Sequence, residues 1–260
     1  MIPEKFFVAD VGNSRIKIAC IQKSTIVPGT QSISNEEFIE NPILDQQFSD
    51  VIVFASVNTK ISEVLRSNNE NMRILEIGKE IEILIKNKTQ NPEQTGIDRL
   101  INCWAAFELY GKSAIVIDAG TAITIDYCNE YGEFEGGVIM AGYELQLRAL
   151  NMFTSALPAV KFDENVYVNP IGRTTEEAML AAVKYGIPGQ IKACIDEISK
   201  HTGDKPRIIF TGGNSGNLEN QLVEISEKKH MVYTVENLTI KGILRIACEY
   251  FRKSFKKSNH

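Results

Sequence analysis

One short pattern occurs twice, and it constrains the fold more than any bulk property does. In each copy a run of apolar residues enters Asp-x-Gly and then leaves as alternating apolar and polar residues. The first copy is FFVADVGNSRIKIA, Phe6 to Ala19, and the second is AIVIDAGTAITIDY, Ala114 to Tyr127. In the first, Phe6 to Ala9 is a strand-like run that ends at Asp10, Gly12 and Asn13 carry turn chemistry, and Ile16 and Ile18 alternate afterwards. In the second, Ile115 to Ile117 lead to Asp118 and Gly120, with Ile123 and Ile125 alternating beyond. Each copy is predicted to be two strands meeting at a tight turn. Taken singly, such a stretch is also a plain β-hairpin with an Asp-Gly turn. Occurring twice, it points to two related half-molecules facing one nucleotide.

Glycine in a turn reaches positive φ and lets other atoms approach the backbone, and a short turn presents several N–H groups to one side. That geometry suits a phosphate. A carboxylate beside a phosphate repels it, so the task predicted for the nearby acid is to hold a metal ion or its water shell.

Composition narrows the partners. The 260 residues are enough for one large domain or two of moderate size, and 43% hydrophobic with 23% charged content is ordinary for a globular chain. A formal net charge of −5 argues against nucleic acid as the main partner. MIPEKFFVAD has no apolar stretch of secretory length, and no later run approaches a membrane span, so a cytoplasmic protein without a membrane partner is expected. Cys20, Cys103, Cys128, Cys194 and Cys248 lack a C-x-x-C pair and are odd in number, which predicts buried thiols. His201, His230 and His260 are scattered and give little support to a zinc site or a histidine-based triad.

Strand and helix signals alternate along the chain, predicting an α/β architecture. Ser34-Asn35-Glu36-Glu37 introduces a short helix to Glu40; Val51 to Ala55 is a buried strand; Ile61, Val64 and Leu65 have helical spacing; Met72 to Ile77 is a strand, and Ile81 to Ile85 a further apolar segment. A polar loop, NKTQNPEQT, Asn87 to Thr95, leads into a helix with Leu100, Ile101, Trp104, Ala105, Phe107 and Leu109 on its apolar face and Gly111 at its end. Leu145 to Met152 suggests a helix closing near Leu157-Pro158. Ala178 to Val183 suggests another, closed by Gly186, with a separate helix over Pro188 to Ser199. Arg207 to Phe210 is a strand delivering TGGNSGN, Thr211 to Asn217, and Ile240 to Phe255 is a terminal helix whose Arg252, Lys253, Lys256 and Lys257 form a solvated tail. The division expected is residues 1–112 and 113–260.

Three further places carry two readings each. Asp98 is either one end of a capping box, Thr95-x-x-Asp98, or a chemical group, and the neighbouring Arg99 is not a capping residue. Gly136 and Gly137 either admit a ligand or mark a bulge. Thr174-x-x-Glu177 is a capping box, which leaves the Thr175 hydroxyl facing a ligand or water.

DVGNSRIK at Asp10 to Lys17, GIDR at Gly96 to Arg99, DAGTAIT at Asp118 to Thr124, GGVIMAG at Gly136 to Gly142 and the Thr175 region together resemble type III pantothenate kinases in order and spacing. The resemblance implies the duplicated ribonuclease H-like, actin-like ATPase fold, with the active site in the cleft between two similar halves. It implies phosphorylation of pantothenate by ATP with Mg²⁺ and a monovalent cation, potassium or ammonium, in a homodimer. Carried onto this chain, Asp10, Val11, Gly12, Asn13, Ser14, Arg15, Ile16 and Lys17 are the phosphate-binding turn, with Asp10 also a metal ligand. Gly96, Ile97, Asp98 and Arg99 belong to the pantothenate site with Thr175; Asp98 is the general base, Asp118 the monovalent-cation ligand and Thr121 an ATP contact. The chain departs from the family pattern at Ser14, Ala119 and Ala141, where threonine, cysteine and proline are common, and at Thr89, where many members have tyrosine. Two other readings remain: a kinase of the same superfold for a sugar or acetate-like acceptor, and a nucleotide-binding regulator without turnover.

Overall fold

A strand apolar on both faces needs a hydrogen-bonded neighbour on each edge and a packed layer on each face. β1, Lys5–Val11, is such a strand, with Phe6, Val8, Ala9 and Val11 fully buried. The computed structural model describes residues 2–215, 218 and 230–257; Gly216, Asn217, His260 and the side chains of Lys256 and Lys257 lie outside the described residues. β2, Arg15–Gln22, returns antiparallel to β1, and β3, Thr25–Ile26, and β4, Gln31–Ser34, both pair with β2. α1, Asn35–Glu40, follows at once, capped by the Ser34 hydroxyl, which accepts the Glu37 N–H at 3.1 Å. β5, Val51–Ser56, runs parallel to β1 on its other edge. After α2, Thr59–Ser67, β6, Arg73–Glu76, pairs parallel with β5. The order across the sheet is β3-β2-β1-β5-β6, with β4 also on β2.

One face of this sheet buries Phe7, Ala9, Val11, Ile52 and Phe54 against Phe38 of α1 and Ile61 and Leu65 of α2. The apolar segment Ile81 to Ile85 forms no regular element; Ile81 and Ile85 are buried in irregular chain, tied by one bridge between Ile77 and Ile81. α3, Ile97–Tyr110, ends one residue before Gly111, and buries Leu100 to Ala106.

The second sheet repeats the plan. β7, Ala114–Ala119, leads into the second Asp-x-Gly, β8, Ala122–Cys128, returns antiparallel to it, and β9, Phe134–Ala141, is antiparallel to β8. Two helices follow, α4, Tyr143–Phe153, and α5, Thr175–Thr202. β10, Arg207–Thr211, and β11, Val232–Thr234, then complete the sheet in parallel, in the order β11-β10-β7-β8-β9. In both sheets the strand carrying Asp-x-Gly is central, with its hairpin partner on one edge and a parallel strand on the other. This is the duplicated ribonuclease H-like fold of the actin-like ATPases. The last helix is α6, Leu238–Lys257.

Four details differ from the sequence reading. The stretch divided at Gly186 is one continuous helix, because Met179, Val183, Ile187, Ile191 and Ile195 recur every four residues as a single stripe in the second core. That burial outweighs the N–H missing at Pro188. α4 stops at Phe153 rather than near Pro158, where Thr154 turns extended and its hydroxyl donates back to the Leu150 carbonyl at 2.7 Å. The compact units are Met1–Leu109 with Asn237–His260, and Tyr110–Glu236, so the terminal helix does not belong with the second half. α6 packs on β1 and β5, with Phe251 edge-on to Phe6. A β-carbon on its Gly242 would stand 2.5 Å from Ile101 of α3, so the two helices meet closely there. Finally, Cys103, Cys128 and Cys248 are buried as expected, but Cys20 and Cys194 are only half-buried. Among the described residues no helix is long and apolar enough to cross a membrane.

Gly189 lies inside α5, is exposed, and would place a β-carbon in open space. Gly189→Ala is expected to raise stability by about 0.5–1 kcal/mol, the usual gain for removing glycine from a helix interior, read as a higher urea midpoint at unchanged slope.

Candidate functional site

In the first unit the turn is built by backbone. Asp10 is half-buried on β1, opposite Lys17 of β2 and Ala55 of β5, so the Lys17 and Asp10 side chains emerge side by side on one face. The Gly12 N–H donates to the Arg15 carbonyl at 2.9 Å and closes the loop, with Asn13 and Ser14 exposed at its tip. Val11 and Ile16 are core residues, with their side chains turned away from solvent. Arg15 is turned back onto β4, its Nε donating to Ser32 Oγ at 3.0 Å and its Nη2 to the Ser32 carbonyl. One residue bearing on this turn has no signal in its own stretch of sequence. Asn35, read only as part of a helix start, donates through Nδ2 to the carbonyls of Gly12 at 3.2 Å and Asn13 at 2.8 Å, and its own N–H donates to the Ser14 carbonyl at 3.1 Å.

The second motif comes to the same edge of that sheet. The Val57 N–H donates to the Val11 carbonyl at 3.0 Å, and a β-carbon on Gly96 would lie 3.7 Å from the Val57 side chain. Asp10 and the Gly96–Arg99 segment therefore share the end of β1 and β5. Asp98 is half-buried in the first turn of α3; its Oδ1 accepts the Arg99 N–H at 2.8 Å and would stand 2.5 Å from a β-carbon on Gly96. A side chain on Gly96 would have to displace the carboxylate from its present position. The predicted capping box does not form, because the Thr95 hydroxyl is engaged with Asn87 Nδ2 at 3.0 Å and Thr89 Oγ1 at 3.2 Å. Thr89 in turn bonds Asn87 Oδ1 through both its N–H, at 3.0 Å, and its hydroxyl, at 2.9 Å, so it stitches the 87–95 loop together.

Burial pushes the Asp98 carboxyl above the usual aspartate value, against the opposing pull of the Arg99 N–H, the Arg99 charge and its own N–H. A carboxylate whose purpose is capping is stabilised in its charged form by the helix end. Here desolvation wins, which is the signature of a group held out of water rather than of a surface cap.

In the second unit Asp118 is half-buried on β7, with Thr124 of β8 and Thr211 of β10 as its register partners, so two hydroxyl side chains flank it on one face. Gly212, at φ +93°, would place a β-carbon 2.6 Å from both Asp118 Oδ1 and the Ala119 nitrogen, and the Asn214 N–H donates to the Ala119 carbonyl at 3.1 Å. The Gly120 N–H closes the turn on the Ala122 carbonyl at 3.1 Å. Gly142 donates to the Thr121 carbonyl at 2.9 Å, and a β-carbon on it would come within 2.5 Å of the Gly120 oxygen. Segments 118–122, 142 and 212–214 thus converge, with the Thr121 side chain exposed.

A bulge stands beside Gly136, while Gly137 is in regular register with Asp126. The register shifts by one at Glu135, and Gly137 lies directly against the Ile125 carbonyl. Thr174 caps α5, accepting the Glu177 N–H at 3.1 Å, while Glu177 accepts from the Arg173 N–H at 2.7 Å, one residue earlier than a capping box requires. Thr175 is exposed on the first turn.

Among the described residues no three His, Cys, Asp or Glu side chains are grouped to hold a metal. Asp10 and Asp118 each stand near the end of a central strand. That set fits Mg²⁺ at Asp10, since this ion takes one or two carboxylates and keeps water and phosphate oxygens for the rest. The hydroxyl-flanked Asp118 fits a hard monovalent cation.

The model of the family described as Type III pantothenate kinase matches residues 6–197. A type III pantothenate kinase of Persephonella marina is 39% identical over 164 residues, covering 63% of this chain and 63% of that protein. The chain spans about three fifths of the length of the curated relatives it matches. Among solved structures, a conserved Campylobacter jejuni protein assigned to the Baf family of transcriptional activators aligns with a TM-score of 0.65 at 22% identity, covering 95% of this chain and 99% of that one. The activator of 2-hydroxyisocaproyl-CoA dehydratase from Clostridium difficile, solved with bound ADPNP, aligns with a TM-score of 0.53 at 10% identity, covering 98% and 97%. At these identities the two structures show likeness of fold alone.

A carboxyl whose folded pKa is raised stabilises the fold below its unfolded pKa and loses that contribution as pH rises through the folded value. Asp98→Asn keeps an acceptor for the Arg99 N–H without the buried charge. It is expected to raise the thermal midpoint at pH 7 to 8, and the gain should close as pH falls below about 4, where the wild-type carboxyl is protonated in both states.

Proposed function

The chain belongs to the type III pantothenate kinase family, whose model spans residues 6–197, and from that membership we propose that it transfers the γ-phosphoryl group of ATP to pantothenate. The product is 4′-phosphopantothenate, and the step is the first towards coenzyme A. The observation that carries the reading is the desolvated Asp98, fitted against Gly96 at the sheet edge that also bears the Asp10 turn.

Phosphoryl transfer asks for positioning and charge neutralisation more than for covalent chemistry. The main chain of Asp10 to Lys17 receives the phosphates, and the ammonium of Lys17, beside Asp10, adds positive charge. Asp10 holds Mg²⁺, Asp118 holds potassium or ammonium with Thr124 and Thr211 at its sides, and Thr121 contacts ATP. When bound, these ions neutralise phosphate charge. Gly96 to Arg99 and Thr175 receive pantothenate, with Arg99 supplying the charge that matches the acceptor's carboxylate. Asp98 accepts the proton of the primary hydroxyl as the oxygen–phosphorus bond forms, and its raised pKa makes it a better base than an exposed aspartate. Thr89, bonded into its own loop, leaves the acceptor without a side chain from that position.

The reading includes a cytoplasmic homodimer that needs neither nucleic acid nor membrane. The dimer is supported by large apolar side chains left exposed in the second unit, among them Ile139 on edge strand β9, Met152 and Phe153 of α4, and Tyr167 and Ile171 beyond it. An open edge strand beside such a surface calls for cover.

Purified protein given ATP and Mg²⁺ is expected to release ADP only when pantothenate is present, and faster in potassium than in sodium buffer. Asp98→Asn should lower kcat about a hundredfold or more, the scale of general-base loss, and abolish an acid limb lying above the ordinary aspartate value near about 3.9. Wild-type turnover in that variant would end the general-base assignment. No pantothenate-dependent release from folded, ATP-binding protein would end the pantothenate assignment. In sedimentation equilibrium the protein is expected at twice the chain mass, and Phe153→Glu with Ile139→Asp at the mass of one chain.

A further inference from the structure

We propose that Asn35 is the positioning residue that holds the Asp10–Lys17 turn in its phosphate-receiving form. The proposal rests on reading that turn as the ATP phosphate site, and it assigns the feature that orients the amides.

A trans peptide points its C=O and N–H in opposite directions. Asn35 Nδ2 draws the carbonyls of Gly12 and Asn13 to one side, at 3.2 and 2.8 Å. The N–H groups of Asn13 and Ser14, which belong to those same two peptides, are therefore turned to the opposite side. There the loop tip is exposed. The third bond, from the Asn35 N–H to the Ser14 carbonyl at 3.1 Å, fixes the clamp to the turn through the main chain as well. Gly12 is not part of the outward pair, because its N–H closes the hairpin on Arg15. Two successive outward amides in a turn form the concave anion site that phosphate groups favour.

The amide orientation of Asn35 is fixed by this arrangement. Two carbonyl oxygens accept only from its NH₂, so Oδ1 faces the other way. Asn35 is 7% exposed, and Oδ1 is a buried acceptor with no hydrogen-bond partner. Buried side-chain acceptors are nearly always satisfied, and leaving one bare costs free energy. No aspartate or serine at this position makes the same two donations: the carboxylate has no hydrogen to give, and the hydroxyl has only one. The chain thus carries an unsatisfied oxygen in exchange for two turned carbonyls. The second Asp-x-Gly turn has a different anchor, the main chain of Gly142 on Thr121, which fits a division of labour in which only the first turn must present its amides to an anion.

The test compares ATP binding, by calorimetry with Mg²⁺, in wild-type protein and in Asn35→Ala and Asn35→Asp. Both variants are expected to weaken ATP binding tenfold or more and to raise KM for ATP, with KM for pantothenate within twofold of wild type. A merely structural residue would instead lower the active fraction, and so kcat, at unchanged KM for ATP. That pattern, or ATP binding within twofold of wild type, overturns the proposal. Should neither variant fold, wild-type protein decides the matter: inorganic tripolyphosphate is expected to shift the Asn13 and Ser14 amide resonances, and unmoved resonances at saturation overturn it. Wild-type protein that binds ATP but leaves pantothenate untouched removes the acceptor assignment, while the calorimetric comparison still judges Asn35. Wild-type protein that does not bind ATP removes both.

Discussion

A carboxylate cannot end a fully buried strand unless the chain brings it to water within a residue or two, and both sheets are arranged around that requirement. β1 from Phe6 on and β7 are buried on both faces, except that the penultimate residue of each is a half-buried aspartate; a buried residue and then a reversing turn follow it. The antiparallel neighbour on one edge and the parallel neighbour on the other fix the height at which the carboxylate emerges, since register leaves no freedom to slide. Asp98 is placed relative to the first of those exits. In the first unit Val57 hangs on Val11, Gly96 rests on Val57, and Asp98 is fitted against Gly96. The first of these links is a main-chain hydrogen bond, and the other two pass through the side chains of Val57 and Asp98.

The two turns share a plan and differ in what steadies them. The first is held by a side-chain amide from outside the hairpin and carries a lysine opposite its aspartate. The second is held by the main-chain N–H groups of Gly142 and Asn214, and threonines stand opposite its aspartate. A duplicated fold has therefore been tuned locally: cationic surroundings and turned amides on one copy, neutral oxygens on the other. That difference in ligand chemistry is what one expects if one copy meets phosphate and the other a bare cation.

The hairpins, the central strands and α3 could be read from the sequence because period and turn chemistry are local properties. The same locality divides α5 in the sequence, where the structure has one helix. Gly186 and Pro188 are strong local punctuation, whereas the stripe from Met179 to Ile195 that keeps the helix whole acts only once there is a sheet to bury it against. Sequence alone leaves Asp98 between capping and chemistry, since desolvation depends on what covers a residue and not on its position in a helix. The Asn35 clamp spans 22 and 23 residues and left no local trace at all. The side to which the terminal helix returns was equally invisible, because an amphipathic face announces that it needs a partner but not which one.

That return has a consequence for the order in which the molecule is made. The first unit contains the opening 109 residues, yet the helix that covers β1 and β5 comes from the stretch starting at Asn237. The second unit, Tyr110–Glu236, is uninterrupted in sequence. Domains generally fold as units during synthesis, the earlier one first. The inserted unit can close while Phe6, Val8 and the rest of that sheet face still wait for Phe251 and its neighbours, so the nascent chain must carry an unsealed apolar surface until its final turns of helix emerge.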